Sequence, residues 1–134
     1  MVKKSLAFVL LTLVLGLAAC DTLHIQTSIT SLTPKREYRN KDGLYQVEAA
    51  LNSRQQTLRW DTVKASVMVG NDFYPMRMTS LMTNRWETLV PVPPGASVIT
   101  YRFKFDFEYN VFGAQPKADS KLSPVYKLQV MDRP

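Results

Sequence analysis

Between Ile99 and Tyr109 the chain alternates with period two. Ile99, Tyr101, Phe103, Phe105, Phe107 and Tyr109 stand against Thr100, Arg102, Lys104, Asp106 and Glu108. Successive side chains of an extended strand point to opposite faces, so all six large residues share one face. That much apolar surface must leave water, while the charged residues between must stay in it. The run is therefore a half-buried strand that needs a second layer of structure across its apolar face. A helix would scatter the two sets around its axis.

The remaining segments repeat the pattern more weakly. Leu23, Ile25, Thr27 and Ile29 alternate with His24, Gln26, Ser28 and Thr30, and a polar loop follows from Pro34 to Gly43. Tyr45, Val47, Ala49 and Leu51 alternate again. Leu58 and Trp60 are followed by Val63, Ala65, Val67 and Val69, a change of parity near Asp61 that predicts a bulge or bend. Gly70-Asn71-Asp72 reads as a turn. Phe73 to Met78 and Arg85 to Val92 read as short strands, the second ended by Pro91, Pro93 and Pro94. Tyr126, Leu128 and Val130 close the series, and no amphipathic helix stands out. About seven short antiparallel strands in one domain over residues 23–134 predict an all-β, immunoglobulin-like sandwich. A small barrel is the alternative.

The first 19 residues carry a different signal. Lys3 and Lys4 precede an apolar run of 14 residues, Leu6 to Ala19. That length suits the apolar region of a secretory signal, whereas a membrane-spanning helix needs about 20 residues. Leu17-Ala18-Ala19-Cys20 then resembles the lipobox of bacterial lipoproteins at all four of its positions. The resemblance implies cleavage before Cys20, a diacylglycerol on its thiol, acylation of its amine, and a place on the outer side of a bacterial membrane. Residues 20–22 would form a short tether. Asp21 sits where enteric-type sorting retains a lipoprotein in the inner membrane. Cys20 is the sole cysteine, so the exported domain is stabilised without disulfides.

After cleavage 115 residues remain, with 15 basic and 11 acidic side chains. A net charge of +4 suits loose attraction to an anionic surface. It gives no ground for nucleic-acid binding, and the compartment argues against it. Lys35, Arg36, Arg39 and Lys41 cluster around Tyr38 in the polar loop, diluted by Glu37 and Asp42. Solvation alone explains such a loop. With a short tether, however, it would face lipid headgroups or a partner.

Residues 67–107 resemble the glycogen- and starch-binding modules of the immunoglobulin-like class. Val67, Val69, Gly70, Phe73, Trp86, Pro94, Gly95, Tyr101 and Phe103 fall in that family's order. The resemblance implies stacking of sugar rings on an exposed Trp, here Trp86. Trp60, Phe73 and Tyr74 are the other aromatic residues that could complete such a row. Trp60 also falls where a sandwich of this kind buries a central Trp. Met68, Met76, Met78 and Met82 read as adaptable core filler rather than a thioether metal site. His24, the only histidine, lies four residues from Cys20 on the polar parity of its strand. It makes a poor general base, and the pairing of Asp106 and Glu108 with Arg102 and Lys104 reads as cross-strand ion pairing.

These residues predict a lipid-anchored, non-catalytic module of the cell envelope, without metal or cofactor, that binds another envelope protein or serves as a structural or accessory component. Glycan binding is the alternative and a hydrolase the third reading. Exposure of Trp60, Trp86, Phe73 and Tyr74 discriminates the first two.

Overall fold

A computed structural model describes residues 27–134. The signal segment, Cys20, the tether and the start of the strand expected from Leu23 lie outside the described residues. Ten strands follow: β1 (Thr27–Ser31), β2 (Arg36–Tyr38), β3 (Leu44–Ser53), β4 (Leu58–Val69), β5 (Asp72–Pro75), β6 (Arg77–Met78), β7 (Arg85–Pro91), β8 (Val98–Tyr109), β9 (Lys117–Leu122) and β10 (Tyr126–Met131). They form a four-stranded sheet in the order β1-β3-β7-β6. The other sheet has the order β2-β10-β8-β4-β5, with β9 beside β8. Taking β1, β3, β7 and β6 as strands A, B, E and D, and β4, β8 and β10 as C, F and G, this is the strand order of an immunoglobulin-like sandwich. Two pieces escaped the sequence pattern: β2, inside the polar loop, and β9. The β2–β10 pair is parallel, where antiparallel pairs alone were expected. The chain changes sheets between β1 and β2 at Pro34, where the missing N–H cannot continue a ladder.

The long aromatic strand is central, as its pattern requires. β8 buries Ile99, Tyr101, Phe103, Phe105 and Phe107, while Tyr109 at its end is half-buried. Facing residues from the other sheet include Tyr45, Val47, Ala49, Leu51, Trp86 and Val90, all in one core. Tyr101 meets Phe103 edge-on at a centroid distance of 5.5 Å.

Two bulges shape the larger sheet. Between Arg59 and Lys64, β4 advances five residues where β8 advances two, from Glu108 to Asp106. Trp60, Asp61 and Thr62 lie within this detour. Thr62 closes it: its hydroxyl donates to the Arg59 carbonyl at 2.6 Å and accepts from the Glu108 N–H at 2.9 Å. This is the irregularity that the parity change near Asp61 predicts.

The second bulge joins β9 to β10 as two halves of one strand along β8. From Leu122 to Tyr126 the chain advances four residues, while β8 advances three, from Lys104 to Tyr101. Ser123, buried, holds the extra residue. Its hydroxyl accepts from the Phe103 N–H at 2.8 Å and donates to the Pro124 carbonyl at 2.8 Å. The Arg102 guanidinium donates twice to the Ser123 carbonyl, at 2.9 and 3.2 Å. Ser123→Ala leaves the Phe103 N–H without its side-chain acceptor. We expect it to cost about 1–3 kcal/mol in urea unfolding, with no change in the circular dichroism of the folded state.

Candidate functional site

The four aromatic candidates scatter. Trp86 is 2% exposed and lies edge-on to Phe105, with ring centroids 5.2 Å apart and planes at 84°. Its cross-strand neighbour on β3 is Ala49, whose small side chain leaves room for the indole. This corrects the resemblance-based expectation: Trp86 is core and offers no face to a sugar. Trp60 is the converse. It is 39% exposed because the three-residue detour in β4 carries it out of the core position expected for it. Phe73 is 55% exposed, and Tyr74 packs half-buried against the core. Phe73 pairs with Met68, and along β8 the partners of Met68 and of Arg59, the residue before Trp60, are six residues apart, or ~20 Å at strand rise. Trp60 and Phe73 therefore form no flat row.

The basic cluster also resolves into parts. Arg36 is on β2, beside Gln129 of β10. Arg39 is tied down: Nε lies 2.8 Å from Asp132 and Nη2 donates to the Ala96 carbonyl at 3.0 Å. Lys41 borders a cleft with Tyr45, Tyr74 and Pro91 to Pro94. This loop adjoins the end of the sandwich where β3 begins and β4 and β10 finish. Thr27 marks the opposite pole, beside the end of β3 (Thr27 pairs with Ser53) and the start of β4. The two poles are separated by the length of β8, 12 residues or ~35 Å. That spacing exceeds the ~8 Å reach of charge interactions in physiological salt several-fold. The basic loop therefore stands away from the end of the sandwich at which Thr27 lies.

The two outer sheet faces differ in chemistry. On the four-stranded sheet, Glu87 accepts from Gln46 at 2.8 Å and from Arg77 at 3.3 Å, and Arg85 lies 3.8 Å from Glu48. These polar groups satisfy one another. The outer face of the larger sheet carries a row of apolar residues with Arg102 among them, while the exposed apolar residues of the smaller sheet's outer face are Leu44 and Leu89. Registers place Phe73 beside Met68 and Met68 beside Arg102, and the Pro124-Val125 bulge falls on the far side of Arg102. The next row runs Pro75, Ser66, Lys104, Leu122. Phe73, Leu122 and Val125 are all exposed, and the Arg102 guanidinium between them is held by its hydrogen bonds to the Ser123 carbonyl. Arg59–Glu108 and Lys104–Asp106 pair along the same face at 3.0 and 3.6 Å. Ser120 donates a short hydrogen bond to Asp106. Lys64 and Lys127 stand on this face without an ion-pair partner among the described residues. The sequence singled out Phe73; Val125 falls at the outward parity of the run Tyr126, Leu128 and Val130, and Leu122 lies in a segment without apolar periodicity.

Comparison with known proteins adds little to this geometry. No family model matches the chain. A search of curated proteins found no match either. Among solved structures, one of murine CRIg aligns over 80% of this chain and 99% of that chain, at 10% identity and a TM-score of 0.40. The assignment to the immunoglobulin-like class rests on the strand order itself.

Proposed function

We propose that the chain is a lipid-anchored, non-catalytic envelope module that binds another envelope protein through the outer face of its larger sheet. The observation that carries this reading is the gathering of exposed Phe73, Leu122 and Val125 on one face, with half-buried Met68 and the Arg102 side chain among them. Exposed apolar side chains gathered on one face in this way mark interaction sites on protein surfaces. The flanking lysines, Lys64 and Lys127, suit a partner with an apolar centre and an acidic rim. Strand addition fits less well. Edge strand β9 carries Lys117, Asp119 and Lys121 along its six residues, and charges on an edge discourage pairing. The separation of Trp60 from Phe73 and the burial of Trp86 leave glycan stacking without a platform.

Site-specific photocrosslinking in intact cells tests the reading. A benzophenone side chain at Phe73 or Val125 should give a discrete protein adduct. The same group at Leu89, exposed on the opposite sheet, should give none. Adducts of equal yield from Leu89, or none from the larger sheet, contradict the proposal.

A further inference from the structure

The pole at Thr27 carries apolar side chains that the core does not use. The β6–β7 loop reaches this pole, because the Asn84 carbonyl accepts from the Leu51 N–H at 2.9 Å, two residues before β3 ends, and Asn84 lines a cleft with Thr27 and Ser53. The loop's tip holds Leu81, 92% exposed, and Met82, also exposed. The β8–β9 loop ends here as well, since Tyr109 pairs with both Leu58 and Lys117. Its tip holds Phe112, fully exposed and followed by Gly113 at φ 68°. Trp60 lines an open cleft on the same pole with Thr27, Arg54 and Asn84. Exposed apolar residues are ordinary one at a time. Here two of the pole's loops present them at their tips, with a half-exposed Trp between. Arg54 and Lys117 stand at the same end, exposed and without an ion-pair partner among the described residues.

We propose that this pole rests on the bilayer, with Phe112, Leu81 and Met82 entering the interface. The inference builds on the reading of Cys20 as lipidated. Seven residue steps separate Cys20 from Thr27, at most ~25 Å of extended chain. The tether alone thus permits the domain to stand or to lie on its side. The apolar tips select the standing orientation. Interfacial segments bury apolar side chains ~5–10 Å into the headgroup boundary, Trp settles at headgroup level, and basic side chains meet anionic lipid. The acyl chains hold the protein in any orientation, so the tips set posture rather than attachment. Standing on this pole, the domain holds the Phe73 face upright and open to a neighbouring protein.

The test uses the mature lipidated protein in vesicles of phosphatidylethanolamine and phosphatidylglycerol. Acylation consumes the thiol of Cys20, so Phe112→Cys, Leu81→Cys and Lys41→Cys each add a single labelling site for an environment-sensitive fluorophore. All three positions lie outside the core, so the substitutions leave packing intact. Flotation with the vesicles reports the anchor, and quenching by nitroxide-bearing lipids reports contact with the bilayer. We expect all three proteins to float, and quenching at positions 112 and 81 to exceed that at 41 several-fold. Flotation with equal quenching at all three positions overturns the docked pole and leaves the anchor standing. Failure to float overturns both.

Discussion

Phe105→Ala is expected to lower the free energy of unfolding by about 3–5 kcal/mol, the cost typical of deleting a large buried aromatic. Phe105 is fully buried at the middle of β8, the strand on which both bulges and three neighbouring strands depend. It faces Trp86 of the other sheet edge-on, so the substitution opens a cavity at the junction of the two layers. No disulfide joins the sheets to offset the loss, because Cys20 is the only cysteine. Domains of this size are stable by roughly 5–15 kcal/mol, so a single change here removes a large share. Urea unfolding of the variant should show a lower midpoint with an unchanged slope. At about 4 °C per kcal/mol the thermal midpoint should fall by some 12–20 °C. A loss below about 1 kcal/mol would mean that the two sheets do not meet at this residue.

The second large effect separates the two tryptophans. Trp86→Ala should cost about 3–5 kcal/mol, whereas Trp60→Ala should cost less than about 1 kcal/mol. Sequence position alone suggests the opposite, with Trp60 central and Trp86 displayed. The reversal follows from the detour that Thr62 closes and from Ala49 beside Trp86. Because Trp86 and Phe105 touch, their double variant should be non-additive, with a coupling of about 0.5–1.5 kcal/mol for the edge-to-face pair. Fluorescence offers a check without denaturant. The protein retaining only Trp86 should emit at short wavelength and resist iodide. The protein retaining only Trp60 should emit at longer wavelength and be quenched.

These contrasts mark how far the residues alone carry the fold. The run from Ile99 to Tyr109 identified β8 and its buried face, because six large side chains at period two admit one arrangement. The parity change near Asp61 located the β4 bulge. Its length could not be read, since one extra residue or three restores the same downstream pattern. That length decides where Trp60 points. β9 gave no signal because it is held by backbone pairing to β8 and buries almost nothing of its own. β2 is three residues inside a charged loop, paired to a strand more than 90 residues away. The poles required topology. Only the strand order shows that Lys41 and Thr27 lie at opposite ends, and that Leu81, Met82 and Phe112 gather at one of them. The trace these three left in the sequence is the lack of a period: Leu81-Met82 and Val111-Phe112 stand among Thr, Ser, Asn and Gly with no alternation that would bury them.

The partner-binding face and the docked pole both presuppose that Cys20 carries lipid. Growth of producing cells with radiolabelled palmitate, followed by recovery of the protein, tests this most directly. The account predicts label in the wild-type chain and none in Cys20→Ala. Label that persists in Cys20→Ala, or a wild-type protein that takes up none, would contradict it.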